Sequence, residues 1–206
     1  MTIEISSAPM LRMIWPGRAE EIDLTPLEGL WTEEQYLTLT DASRMLIEFT
    51  DGSFEVLPMP SRDHQAISLF LLLALVSFIR PRKGAVFYSP LRVQVRPGKF
   101  REPDLLLLRD AADPRNQNRY WLGADLVVEI VSEDNPERDT VEKVADYAEA
   151  GIPEYWIVNP LDQTITVLAL DEGVYLAPGI FGRGEQAASL LLAGFGVAVD
   201  AVFEAQ

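Results

Sequence analysis

Residues 125–131 read DLVVEIV. Apart from the opening aspartate and one glutamate, the run is apolar and does not alternate. A strand that alternates buries one face, whereas one that is continuously apolar needs cover on both. The segments at 104–108 (DLLLL) and 155–159 (YWIVN) have the same character. Between 131 and 155 the pattern predicts a helix over about 136–150. Pro136 suits its first turn, Glu137 and Asp139 suit its N-terminal dipole, and Gly151 with Pro153 ends it. A strand, a helix and a second strand at this spacing allow a right-handed crossover between parallel strands. The chain is therefore expected to form an α/β domain with a mixed β-sheet flanked by helices.

The glutamate is the anomaly. A carboxylate inside a buried strand costs several kcal/mol or more unless it is protonated, paired or bound to a metal, so Glu129 needs a partner.

The rest of the 206-residue chain fits around this unit. Residues 1–24 read as an irregular arm broken by Pro9, Pro16 and Gly17, and 25–206 as a single domain. Thr32 followed by Gln35 has the pattern of a capping box and predicts a helix over about 32–40. Asp51-Gly52 between two short apolar runs predicts a hairpin. The stretch AISLFLLLALVSFI at 66–79 falls short of the roughly 20 residues of a membrane span. It predicts a buried helix over about 62–80, stopped at Pro81, and no membrane partner. Further strands are expected at 85–88, 91–96, 164–170 and near 173–180.

Composition narrows the chemistry. There is no cysteine, hence no disulfide and no thiolate metal site, which suits a reducing, cytoplasmic setting. The N-terminus lacks the pattern of a signal peptide. A single histidine, His64, excludes a multi-histidine metal centre. Neither a G-x-S-x-G turn nor a glycine-rich phosphate loop is present. A net charge of −15 argues against nonspecific coating of nucleic acid. A phosphate-bearing substrate would need a local basic patch or a metal ion. Two such patches occur, RPRK at 80–83 and PRNQNRYW at 114–121; the second offers Arg115 and Arg119 as candidate substrate-binding residues, and a solvated loop is the alternative for both.

What remains is carboxylate chemistry, which favours hard cations such as Mg²⁺ or Mn²⁺. Asp104 opens one apolar strand and Glu129 interrupts another. If the strands are neighbours, the two side chains converge. Lys143, on the following helix, would add an ammonium to stabilise negative charge. Each residue has a structural alternative. Asp104 could bond to a turn, Glu129 could sit in an ion pair, and Lys143 could pair with Asp139 four residues earlier on a solvated face. Val141, Val144, Ala145 and Ala148 mark the expected core face of that helix.

The segments EPDLLLL and DLVVEIVSEDNPERDTVEKVADYAEAGIPEYWIVNP resemble the Uma2 family, formerly a domain of unknown function. TEEQYLTL, IEFTDGSFEVLPMPSRDHQAI and FGVAVDAVFE follow in the family's order. The likeness covers most of residues 30–204 and is most specific over 125–160. It implies the restriction-endonuclease-like PD-(D/E)XK fold, with Pro103-Asp104 as the PD element and Glu129 as the next acid. The lysine usual two residues after that acid is absent, since position 131 is Val131; Lys143 matches the place of a lysine that has migrated to the helix. The resemblance further implies Glu55 as a third metal ligand, the Ile130 carbonyl as a fourth, and His64 as a substrate-binding residue. For Glu55 a solvent-facing hairpin position, and for His64 packing at a helix start, are the alternatives.

Two functions follow. The first is a Mg²⁺- or Mn²⁺-dependent nuclease acting on nucleic acid. The second is a non-catalytic interaction module that keeps the fold. The apolar side chains of the arm, Met10, Leu11, Met13, Ile14 and Trp15, suggest a homodimer.

Overall fold

The computed structural model describes residues 12–14, 21–23, 27–43 and 45–205. In chain order the elements are β1 (Arg12–Ile14), β2 (Glu21–Asp23), α1 (Glu33–Ala42), β3 (Ile47–Thr50), β4 (Ser53–Val56), α2 (Arg62–Ile79), β5 (Ala85–Tyr88), β6 (Val93–Arg96), β7 (Lys99–Arg101), β8 (Leu105–Leu108) and β9 (Leu126–Ile130). A π-helical turn (Arg138–Glu142) leads into α3 (Lys143–Glu149). The chain ends with β10 (Glu154–Asn159), β11 (Thr164–Asp171), β12 (Val174–Phe181), β13 (Gln186–Ala188), β14 (Gly196–Ala198) and α4 (Val199–Phe203). Two units are formed, one from residues 1–59 and 97–101, the other from 60–96 and 102–206.

In the smaller unit, β1 pairs antiparallel with β2, where the sequence reads as an irregular arm. Of the arm residues invoked for a dimer, Met10, Leu11 and Trp15 lie outside the described residues. The capping box forms as expected. Thr32 Oγ1 accepts from the Gln35 N–H, and Gln35 Oε1 accepts from the Thr32 N–H. Asp51 and Gly52 turn the β3–β4 hairpin with φ of 47° and 89°. Two successive positive φ values make a type I′ turn, whose twist matches that of the strands, and glycine tolerates the second at little cost. β3 also pairs with β7, a strand the sequence patterning misses. Tyr36, Ile47, Phe49 and Phe100 are buried between α1 and these strands, and the Tyr36 hydroxyl donates to the Ile47 carbonyl at 2.7 Å.

The larger unit is built on a six-stranded sheet in the order β12-β11-β10-β9-β8-β5. Only β9 and β10 run parallel; the other pairs are antiparallel. Both faces are covered, as the unbroken apolar strands require. One face carries Leu105, Leu107, Leu126, Val128 and Ile130 against Ile67, Leu71, Leu75 and Ile79 of α2 and Val202 and Phe203 of α4. The other carries Leu106, Leu108 and Val127 against Trp121, Tyr147, Ile152 and Tyr155. The segment Arg62–Arg82 is long and apolar enough to cross a membrane by length and composition alone. Here its four-residue stripe from Ile67 to Ile79 packs into the core. Gly84 is needed where the chain turns from α2 into β5, because a Cβ there would lie 2.3 Å from Ile79 Cγ1 and 2.7 Å from the Leu108 carbonyl. β13 and β14 pair with each other near the C-terminus.

Candidate functional site

The register of β8 against β9 places Leu105 opposite Val128. One step further, Asp104 faces Glu129. Side chains alternate along a strand, so Glu129 shares the face of Val127, and Asp104 that of Leu106. Both carboxylates therefore rise from the face covered by α3. Their linkage is direct. The Asp104 N–H donates to Glu129 Oε2 at 3.3 Å, and Asp104 Oδ2 accepts from the Ile130 N–H at 2.7 Å.

Glu129 is 2 % exposed, and its Oε1 accepts from the Tyr147 hydroxyl in a short hydrogen bond and from Lys143 Nζ at 2.8 Å. The Lys143 ammonium also reaches Asp139 Oδ1 at 3.0 Å. His64 Nε2 lies 3.1 Å from Asp104 Oδ2. His64, Asp104, Glu129, Asp139, Lys143 and Tyr147 thus form one connected polar cluster inside the larger unit.

The pairing of Lys143 with Asp139 exists, but not on a solvated face. Lys143 and Asp139 are both buried, whereas Val141 is 62 % exposed and Ala145 is exposed. The expected core face is corrected accordingly, with Val144 alone of the four named residues partly packed against the core. The buried residues of this helix are Asp139, Lys143, Asp146 and Tyr147. The cause is the π turn. The Lys143 N–H donates to the Arg138 carbonyl, five residues back, instead of the Asp139 carbonyl four back. The Tyr155 hydroxyl takes the Asp139 carbonyl at 2.7 Å. An extra residue in one turn shifts the helical phase and turns a polar stripe toward the sheet. Its sign in the sequence is Asp139, Lys143 and Tyr147 at four-residue spacing, a pattern hidden by the nearby valines and alanines.

The electrostatics follow from burial and crowding. Removal from water pushes the Glu129 carboxyl well above an ordinary glutamate; Lys143 opposes the shift, and Asp104 and Asp139 add to it. Burial disfavours protonated His64, but the hydrogen bond and charge of Asp104, with Glu129 and Asp139 behind it, outweigh burial and raise its pKa. The Tyr155 hydroxyl is raised well above an ordinary tyrosine by burial and the same three carboxylates. Three carboxylates face one ammonium and one imidazole, so the cluster is rich in negative charge.

The other candidates have these surroundings. Glu55 is exposed on β4 in the smaller unit. The Ile130 N–H, not its carbonyl, contacts Asp104. Arg115 ties its own loop to β9, with Nη2 2.7 Å from both Asp113 Oδ2 and Asp125 Oδ1. Arg119 is exposed, and its carbonyl accepts from Arg92.

The model of the Uma2 family, described as "Putative restriction endonuclease", matches residues 33–200. The chain belongs to the Uma2 family. A crystal structure of a "putative nuclease belonging to DUF820 from Anabaena variabilis ATCC 29413" superposes with a TM-score of 0.71 at 19 % identity, covering 85 % of this chain and 98 % of that one. No curated protein matches the chain. The fold is accordingly α/β and restriction-endonuclease-like, a mixed sheet flanked by helices, and the Uma2 match spans every member of the polar cluster.

Proposed function

We propose that this Uma2 protein is a divalent-metal-dependent nuclease that hydrolyses phosphodiester bonds of nucleic acid. The observation that carries the reading is the juxtaposition of Asp104 and Glu129 across β8 and β9, with Lys143 bonded to Glu129.

The residues fit a hard divalent cation. Among the described residues no three histidine or carboxylate side chains converge as a metal-binding group. Mg²⁺, however, is usually held by only one or two carboxylates and keeps several waters. Asp104 and Glu129 supply two, and Asp104 Oδ1 takes no bond from a described residue. The excess negative charge around Glu129 also suits a cation. Mg²⁺ or Mn²⁺ held by Asp104 and Glu129 would neutralise phosphate charge and activate water. The Ile130 carbonyl is proposed as a further ligand from the family resemblance. Lys143 opposes the upward shift of the Glu129 carboxyl and would face developing negative charge. His64, bonded to Asp104, stands where it can orient a phosphate or accept a proton from water. Arg115 and Arg119 belong to the proposed substrate-binding set. A homodimer is also part of the reading, and light scattering that gave only the 23.0 kDa species at micromolar concentration would remove it.

The test is cleavage of single- and double-stranded DNA and RNA with and without Mg²⁺ or Mn²⁺. Metal-dependent cleavage that disappears in the Asp104→Ala, Glu129→Ala double variant is expected. Metal should also raise the melting temperature of the wild type and not of the double variant. A metal-induced rise that survives the double substitution would place the ion elsewhere, and a folded, metal-binding protein that cleaves nothing on the panel would favour an interaction module that keeps the fold.

A further inference from the structure

Among the members of the polar cluster, Asp104 and His64 are more open to solvent than Glu129 and Lys143. The Glu129 and Lys143 side chains are 3 % and 5 % exposed, whereas those of Asp104 and His64 are 17 % and 18 % exposed. Asp104 adjoins the edge strand β5. Tyr88 pairs with Leu105, Phe87 pairs with Leu106, and the Ser89 N–H donates to the Asp104 carbonyl at 3.1 Å. Because Phe87 lies opposite Leu106, its ring rises from the same sheet face as Asp104, at a diagonal position typically about 7–8 Å away.

Phe87 is 45 % exposed and Tyr88 56 % exposed. By alternation the Tyr88 side chain leaves the opposite sheet face, so Phe87 is the exposed ring on the face of Asp104. Phe87 is also fixed in place, standing edge-on to the buried ring of Trp121 at 5.6 Å and 89°. A held ring with an open face is suited to stacking a flat partner at little entropic cost. At the other end of β5, about 13 Å away at a strand's usual rise, the chain carries its RPRK run. Arg82 is committed to Phe78, stacking 3.7 Å above the ring and bonding its carbonyl. Arg80 and Lys83 are exposed and make no side-chain ion pair with a described residue.

We propose that the β5 edge is the docking track for a single-stranded nucleic acid substrate, with a base stacked on Phe87 and backbone phosphates at Lys83 and Arg80. The inference rests on the nuclease reading of the adjacent site and assigns the strandedness of its substrate. Charge complementarity supports the occupant. In a chain of net charge −15, a track that runs from exposed cations past the Phe87 ring to the open side of Asp104 matches a polyanion with exposed bases. The rings of duplex bases are stacked on one another, so Phe87 would find no face there, while unpaired bases of any sequence present one.

The experiment is a fluorescence anisotropy titration of full-length protein with a 5′-labelled 12-residue oligothymidylate and with a duplex of the same length, using Ca²⁺ in place of Mg²⁺ to hold back cleavage. The wild type should bind the single strand at least ten-fold more tightly than the duplex. Phe87→Leu, which keeps an apolar cover over Trp121 but removes the ring, should lose ten-fold or more, and Phe87→Trp should restore binding. Lys83→Glu should weaken it independently. Wild-type affinity in Phe87→Leu, or a preference for duplex untouched by these substitutions, overturns the track and leaves the nuclease reading standing. Absence of binding to every nucleic acid by the folded wild type overturns both. A second copy or another protein as occupant would appear as binding edge residues without oligonucleotide affinity, and counts against the proposal.

Discussion

Lys143 holds two buried carboxylates at once, Glu129 at 2.8 Å and Asp139 at 3.0 Å. Truncating one partner of a buried pair leaves the other charges without compensation, which typically costs about 3–5 kcal/mol. Lys143→Ala should therefore lower stability on that scale as well as abolish cleavage. A surface pair of the kind read from the four-residue spacing would cost only a few tenths of a kcal/mol. Chemical denaturation distinguishes the two, and a loss below about 1 kcal/mol would contradict the buried arrangement. A second substitution, Glu129→Gln, should recover part of the lost stability by removing one uncompensated charge, and a double-mutant cycle measures that coupling. His64 gives a pH dependence in protein stripped of metal with EDTA. Its pKa is raised in the folded state despite burial, chiefly by Asp104. A raised folded pKa contributes stability that is fully present below the unfolded value, about 6.5, and is lost as pH rises through the folded value. The difference in melting temperature between wild type and His64→Asn should be largest near pH 5–6 and shrink toward pH 9. A difference that grows with pH would mean that His64 is held neutral.

The π turn is the element that makes the cluster, and Tyr155 braces it from the adjoining strand. In a regular helix the Lys143 N–H would bond the Asp139 carbonyl; here that carbonyl receives the Tyr155 hydroxyl instead. Tyr155→Phe removes one buried hydrogen bond, worth about 0.5–1.5 kcal/mol. Because it also loosens the turn that aims Lys143, kcat should fall further than stability does, with KM little changed. Unaltered kcat on a substrate that the wild type cleaves would show that the turn holds its register without the hydroxyl. This element also marks the limit of what sequence patterning reveals. The apolar strands, the capping box at Thr32, the hairpin at Asp51-Gly52 and the parallel step from β9 to β10 each follow a local rule, and each is found. The convergence of Asp104 and Glu129 could be read because both break apolar strands that pair. The helix that carries Lys143 follows from the pattern, but its valines and alanines mark an expected core face that leaves Lys143 out. A π turn carries no residue signature of its own, and the rotation depends on Tyr155, twelve residues beyond Lys143. β7, β13 and β14 were missed because each is a three-residue strand, too short to show a period. Glu154 shows the same dependence on distant partners. It is buried on β10, accepting from Trp156, Ser189, Leu190 and Leu191, and only folding brings the 189–191 segment to it.

At the scale of the whole molecule, charge governs how a polyanion can approach. A basic nucleic-acid-binding surface makes six to ten phosphate contacts and loses roughly 10³–10⁵ in affinity between 50 and 200 mM salt. This chain carries −15, and several of its arginines are occupied. Arg115 is paired with Asp113 and Asp125, Arg183 with Asp200 and Glu204, and Arg96 with Glu149. Arg80 and Lys83 at the end of β5 are exposed, so two or three phosphate contacts are the expected number. For a single strand each contact contributes about −0.7 to the slope of log Kobs against log salt, which gives a slope no steeper than about −2. Screening of the repulsion between the acidic surface and the incoming strand acts in the opposite direction and flattens the slope further. Affinity should respond more strongly to divalent cation, because an ion at Asp104 and Glu129 would offset the negative charge that a phosphate meets there. Anisotropy titrations across a sodium chloride series at constant Ca²⁺ measure the slope, and repeating them in EDTA measures the divalent contribution. A salt slope steeper than about −4, or binding unchanged by removal of Ca²⁺, would require a basic surface other than the β5 end and would move the substrate away from the Asp104–Glu129 site.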